Sequence, residues 1–273
     1  GERIMKKNYV IAYLTFAIVL ALVAYYTMDT TEQAPVESEE QLTVNWSYDG
    51  ETGPQQWMDV SADYAACGRG ELQSPINIEV SNTAKEELDE EVKLNYEKAL
   101  FEIENNGHTI EANSTTQDNS LMINDEEYKL TGIHFHSPSE HQINGQYFDM
   151  EAHLFHETKD GKMAIIGLFI ESGEENKELA EMWANMPKDG AEAVKVLKNP
   201  INLEQLLPEE KNVYQYVGSL TSPPCTEGVN WFVLEQPIEM SNEQINQFSS
   251  IFLQNNRPIQ QLNNRDVYKI ELD

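Results

Sequence analysis

Five of the six histidines of this 273-residue chain fall between Gly132 and His156, in GIHFHSPSEHQINGQYFDMEAHLFH, and their spacing constrains the fold more than any other feature. In His134-Phe135-His136 the imidazoles are two residues apart, so an extended strand projects both onto one face and Phe135 onto the other. Asn144-Gly145 follows, the dipeptide that most favours a two-residue hairpin turn, and then a second apolar run carrying His153. A turn centred there sets His136 opposite His153 with His134 diagonal to both, and three imidazoles share one face. Pro138 interrupts the ladder, so the shared face is better determined than the pairing.

Beyond this hairpin the chain reads as a large sheet. Short β-type runs (ALFEIENN, EEYKLTGIHFH, YFDMEAHLFH, KMAIIGLFIES, VNWFVLEQPI) alternate with clusters of Asn, Gly, Asp and Pro. Only Asn176 to Ala193 and Ser241 to Phe252 carry apolar residues at helical spacing, and Ser241 with Gln244 forms a capping box. No internal repeat and no break in composition divides residues 42–273, which predicts a single folded domain.

The N-terminal part reads differently. Residues 1–7 are expected to lie in the cytoplasm, with translation starting at Met5. Lys6 and Lys7 precede the uncharged, mostly apolar residues 8–28, which predict a signal anchor or signal peptide; the length favours an anchor. Residues 29–41 are an acidic, flexible linker. With 47 acidic against 18 basic residues, the formal charge of −29 excludes nucleic acid as a partner and fits either a solvated surface or adaptation to saline surroundings. Downstream of an export segment, Cys67 and Cys225 predict one long-loop disulfide, against the alternative of two buried thiols.

Three neutral imidazoles with no thiolate nearby suit Zn2+ and leave a fourth position open, the pattern of catalytic sites. His141 and His156 read as satisfied structural residues, the latter pointing off the metal face. Glu151 stands on the same strand face as His153, where a carboxylate fixes the metal-binding tautomer. Glu140 is a base, an acceptor for another site group or a surface acid; the local sequence leaves all three open.

Cys67, QSPINI (Gln73 to Ile78), NNGH (Asn105 to His108), HFHSPSEH, MEAHLFH, GSLTSPPCTEGVNW (Gly218 to Trp231) and NNRPIQ (Asn255 to Gln260) occur in that order. With these seven motifs the chain resembles an α-class carbonic anhydrase of bacterial type over most of residues 46 to 270. The resemblance implies a mostly β fold with a few short helices, whose large, mostly antiparallel twisted sheet holds zinc at the floor of a conical cleft. The implied reaction is the reversible hydration of carbon dioxide to bicarbonate and a proton, by attack of zinc-bound hydroxide.

By the same resemblance His134, His136 and His153 are the zinc ligands; Glu151 supports His153, and the Asn255 carbonyl supports His136. Thr221 orients the nucleophile and donates its proton to an ionised Glu140. Phe155, Ile165, Leu220, Val229, Trp231 and Ser222 form the carbon dioxide pocket, with plain core packing an equal reading for Ile165 and Val229. His108 is the proton shuttle, with Tyr48 and Asn106 along the water path. A Cys67–Cys225 disulfide pins the Thr221 loop, and Ser74-Pro75 and Pro223-Pro224 match cis bonds of the family. Two departures stand out. Gly132 replaces a glutamine that supports the first ligand, which predicts looser zinc, and Phe155 replaces a frequent valine, which narrows the pocket against bulky esters. The competing functions are a catalytically weak surface-binding domain, which the intact histidines, Glu140 and Thr221 oppose, and a zinc esterase. The expected setting is an exported bacterial protein outside the cytoplasmic membrane, anchored or released there, with a homodimer as a further expectation and membrane contact through the N-terminal segment alone.

Overall fold

The computed structural model describes residues 46–84 and 90–272, so the expected leader, anchor and linker lie outside the described residues. Among the described residues no helix is long and apolar enough to cross a membrane. Among the described residues nine strands carry the fold: β1 (Phe101–Asn105), β2 (Ile110–Ser114), β3 (Glu126–His136), β4 (Met150–Glu157), β5 (Met163–Ser172), β6 (Lys195–Val196), β7 (Asn212–Ser219), β8 (Glu227–Leu234) and β9 (Tyr268–Glu271). They lie in the order β6-β1-β2-β3-β4-β5-β8-β7-β9, and three further strands off this path complete a twelve-stranded sheet. Neighbours along the path are antiparallel except β5 and β8, which run parallel.

The central strands read as near-continuous apolar runs because both faces of the sheet are covered. One face packs Ile133, Phe135, Leu154, Ile166 and Phe232 into the larger core, while the other packs Ile165, Phe169, Val229, Trp231 and Val233. Fully burying each such side chain contributes about 1.5–3 kcal/mol, so the sheet is held from both sides. Two cross-strand rows on the second face define the site. One runs Glu111, His134, His153, Gly167 and Val233; the next runs Asn113, Gly132, Phe155, Ile165 and Trp231.

This register corrects the expected pairing: His134, not His136, stands opposite His153, and His136 stands opposite Glu151. Asn144 and Gly145 do form a tight turn with positive φ, bridged by Ile143 and Gln146, but it closes a side excursion rather than the β3–β4 hairpin. Residues Gln142–Ile143 pair in parallel with Asn77–Ile78, and the bond Ser137-Pro138 is cis. The ladder is thereby displaced by two residues, which preserves the faces because side chains alternate with period two.

The first expected helix is shortened to Ala180–Ala184, since Pro187 cannot donate a backbone hydrogen bond and Asp189-Gly190 follow; Leu179, Met182, Trp183 and Met186 are buried all the same. The second forms over Asn242–Ser249 with both capping-box bonds of Ser241 and Gln244 in place. Cys67 and Cys225 are joined in a disulfide surrounded by Trp57, Trp46, Tyr48 and Tyr64.

Candidate metal centre

His136 and His153 sit side by side, ring centroids 4.5 Å apart, and both are almost wholly buried. Their tautomers follow from their partners. The Nδ1 of His136 lies 2.7 Å from the carbonyl oxygen of Asn255, which can only accept, so Nδ1 carries the proton and Nε2 keeps its lone pair. The Nε2 of His153 lies 2.9 Å from Glu151 Oε1, so its proton is there and the lone pair is on Nδ1, which has no other hydrogen-bond partner. Burial pushes His136 down to about 4 and lowers His153 as well, so both rings are neutral near pH 7. Two neutral imidazoles held in opposite tautomers offer lone pairs of the kind that could hold a metal.

Glu151 is a fully buried carboxylate with four donors. Oε2 accepts the backbone N–H groups of Glu140 and His141, both at 2.8 Å; Oε1 accepts from His153 Nε2 and, at 2.7 Å, from His141 Nδ1. Burial alone would raise its pKa, but the rings of His141 and His153 outweigh burial and hold it well below the usual range. Gly167 makes room for it, since a Cβ there would lie 3.0 Å from Oε1. His141 therefore shares the carboxylate that supports His153, and its Nε2 continues at 2.7 Å to Tyr216 Oη, which lies 2.8 Å from Ser74 Oγ. Sequence reading gave His141 a purely structural place; Glu151 stands close by in sequence, but no local signal marks Tyr216.

Glu140 faces the same two rings. Its Oε1 accepts the Arg257 backbone N–H at 2.7 Å, while Oε2 lies 3.7 Å from His136 Nε2 and 3.8 Å from His153 Nδ1 with no hydrogen-bond partner. Burial pushes Glu140 up to about 7 against the lowering effect of His153, the Arg257 N–H and the nearby Thr221 hydroxyl. A cation among these nitrogens would favour the ionised form. His136, Glu140 and His153 form one of two groups of three potential ligands among the described residues, the other being His141, Glu151 and His153. Arg257 also anchors the surroundings through bonds to the carbonyls of Ser74 and Cys67, a role its NNRPIQ motif left unassigned.

His134 belongs to neither group. Its Nε2 lies 3.4 Å from Glu111 Oε1, a contact hidden in the sequence because it crosses from β2 to β3. Gly132 has a backbone reason: a Cβ there would lie 2.8 Å from the carbonyl oxygen of Ala112, next to the bulge between Leu130 and Gly132. Phe155, Ile165, Leu220, Val229 and Trp231 share one apolar cluster beside the rings, Trp231 at 4.9 Å from His153 and Phe155 at 4.3 Å from His134. Thr221 is buried at the start of the loop that Cys225 ties to Cys67, and the Cys225 N–H bonds back to the Ser222 carbonyl. His108 stacks on Trp46 at 3.7 Å on the wall of a cleft of about 600 Å³ lined also by Tyr48, Asn106 and Asn255.

A family model described as eukaryotic-type carbonic anhydrase matches residues 52–271. The chain belongs to this family. A carbonic anhydrase of Pectobacterium atrosepticum is 38% identical over 253 residues, covering 92% of this chain and 98% of that one. Among solved structures, the α-carbonic anhydrase of Thermovibrio ammonificans in complex with sulfanilamide superposes with a TM-score of 0.78 at 40% identity, covering 82% of this chain and 98% of that one. The crystal structure of dioscorin complexed with ascorbate is also similar, at 30% identity and a TM-score of 0.77 over 84% of this chain and 99% of that one.

Proposed function

We propose that this carbonic anhydrase family member is a zinc-dependent enzyme that interconverts carbon dioxide and bicarbonate. The observation that carries the reading is the pair of buried, neutral imidazoles whose tautomers leave His136 Nε2 and His153 Nδ1 free on the same side as Glu140. Three nitrogen donors, with His134 as the third by family correspondence, fit zinc, which when bound supplies the Lewis acidity that makes water nucleophilic near neutral pH.

The chain's own residues do the rest. Asn255 and Glu151 keep the donor nitrogens unprotonated, and Arg257 holds Glu140 where it receives the Thr221 proton. A hydroxyl has a single proton, so a Thr221 that donates to Glu140 presents only lone pairs to the attacking oxygen and fixes its orientation. The wall of Phe155, Leu220, Val229 and Trp231 offers carbon dioxide an apolar surface that needs no hydrogen bonds. His108, lowered by partial burial and placed in the outer cleft, carries the released proton to solvent. The disulfide fits an oxidising compartment, and we place the protein outside the cytoplasmic membrane.

Stopped-flow hydration of carbon dioxide tests the proposal. Turnover is expected in the zinc-loaded protein, loss on chelation and recovery with added zinc. A zinc-loaded protein no faster than buffer would overturn it.

A further inference from the structure

Glu111 stands directly across the β2–β3 ladder from His134, with Oε1 3.4 Å from His134 Nε2 and each side chain about a quarter exposed. The carboxylate is fixed on its other side by Asn106, whose Nδ2 donates to Oε2 at 3.1 Å. Position 132 is a glycine and offers the ring no side chain, and a Cβ there would meet the Ala112 carbonyl oxygen at 2.8 Å. Glu111 is therefore the acid at the partly exposed end of the imidazole row, whereas Glu140 and Glu151 close its buried end. We propose that Glu111 is a specificity-determining residue: a fixed negative charge at the mouth of the metal centre that repels small anions and leaves neutral ligands unaffected.

The inference rests on the metal reading above. A partly exposed charge beside the His134 ring is screened but not removed, and would weaken a monovalent anion held at this centre by about tenfold. A neutral molecule such as carbon dioxide experiences no such repulsion on entry. Bicarbonate, the anionic product, experiences it on leaving, so the same residue shortens product residence. Glu104 pairs with Glu111 across β1–β2 but bonds to Asn113 and makes no contact with His134, which makes it the natural control for general negative charge.

The test uses the cobalt(II)-loaded protein, with visible absorption titrated by thiocyanate and, separately, by neutral imidazole at constant ionic strength. Glu111→Gln is expected to bind thiocyanate about tenfold more tightly than the parent, with imidazole affinity changed less than about twofold. Glu111→Asn, a second neutral variant, is expected to behave like Glu111→Gln, and Glu111→Asp and Glu104→Gln like the parent. Unchanged thiocyanate affinity in the neutral variants overturns the proposal, as does an equal gain for imidazole, which would reveal a steric or structural effect. A parent protein that takes up no cobalt overturns the metal reading and the proposal with it, so the two failures are told apart.

Discussion

Replacing Glu151 by glutamine changes one atom and disturbs four hydrogen bonds. Both carboxylate oxygens are acceptors for two donors each, at 2.7–2.9 Å and in full burial. An amide presents acceptors on one side only. If its NH2 faces the backbone, the N–H groups of Glu140 and His141 lose their acceptor, at about 1–3 kcal/mol for each buried donor. If it faces the rings, His141 and His153 must move their protons to the opposite nitrogens to accept from it. For His153 that puts a proton on Nδ1, the nitrogen offered to metal. The second arrangement costs less, and removing a buried charge offsets part of it, so we expect a stability loss of about 2–3 kcal/mol together with a zinc affinity lowered by about 10 to 100-fold. Urea unfolding of the metal-free proteins measures the first and competition with a chromophoric chelator the second. A Glu151→Gln variant within about 0.5 kcal/mol of the parent and within about twofold in zinc affinity would refute the tautomer argument.

Two further outcomes are expected. Burial lowers His156 to about 4, below its unfolded value of about 6.5, so the unfolded chain takes up a proton that the native protein refuses as pH falls from about 6.5 to about 4. Stability from this group is full above that window and lost across it, by about 3 kcal/mol, and the pH dependence of urea unfolding should be flatter by that amount in His156→Gln; an identical slope would rule His156 out. Gly132→Ala should destabilise by about 1–3 kcal/mol, because the atom its Cβ meets is the Ala112 carbonyl oxygen of the neighbouring strand rather than a movable side chain. A thermal melt coinciding with the parent would show that the bulge absorbs the methyl group.

The strands and the shared histidine face were legible because period-two spacing survives any even displacement of the ladder. The pairing itself was not. Asn144-Gly145 forms the turn its residues demand, but the partner of that turn is Asn77–Ile78, far upstream and invisible to a local reading. For Asn176 to Ala193 the helical spacing described burial correctly and backbone incorrectly: the same side chains are inside, on a chain that Pro187 keeps from continuing the helix. The seven motifs pointed to the family, yet Glu111 could not be paired with His134 without the strand order, since nothing in IEANS differs from an ordinary solvated strand. Gly132 read as a lost hydrogen-bond partner; in the sheet its Cα also faces the Ala112 carbonyl oxygen so closely that a Cβ would lie 2.8 Å from it, so a longer side chain there has a steric cost that the sequence does not display.

The groups that fix the histidine tautomers come from opposite ends of the chain's timetable. Glu151 lies two residues from His153, but the carbonyl for His136 belongs to Asn255 and the N–H for Glu140 to Arg257, more than a hundred residues downstream. A chain emerging from the ribosome, or threading through a membrane pore, holds all its candidate ligands long before it holds the residues that set their protons. If the centre holds zinc as proposed, the donor set with these tautomers would be complete only once the C-terminal segment has docked. A truncation that stops short of Asn255 would keep every histidine and still lack the centre.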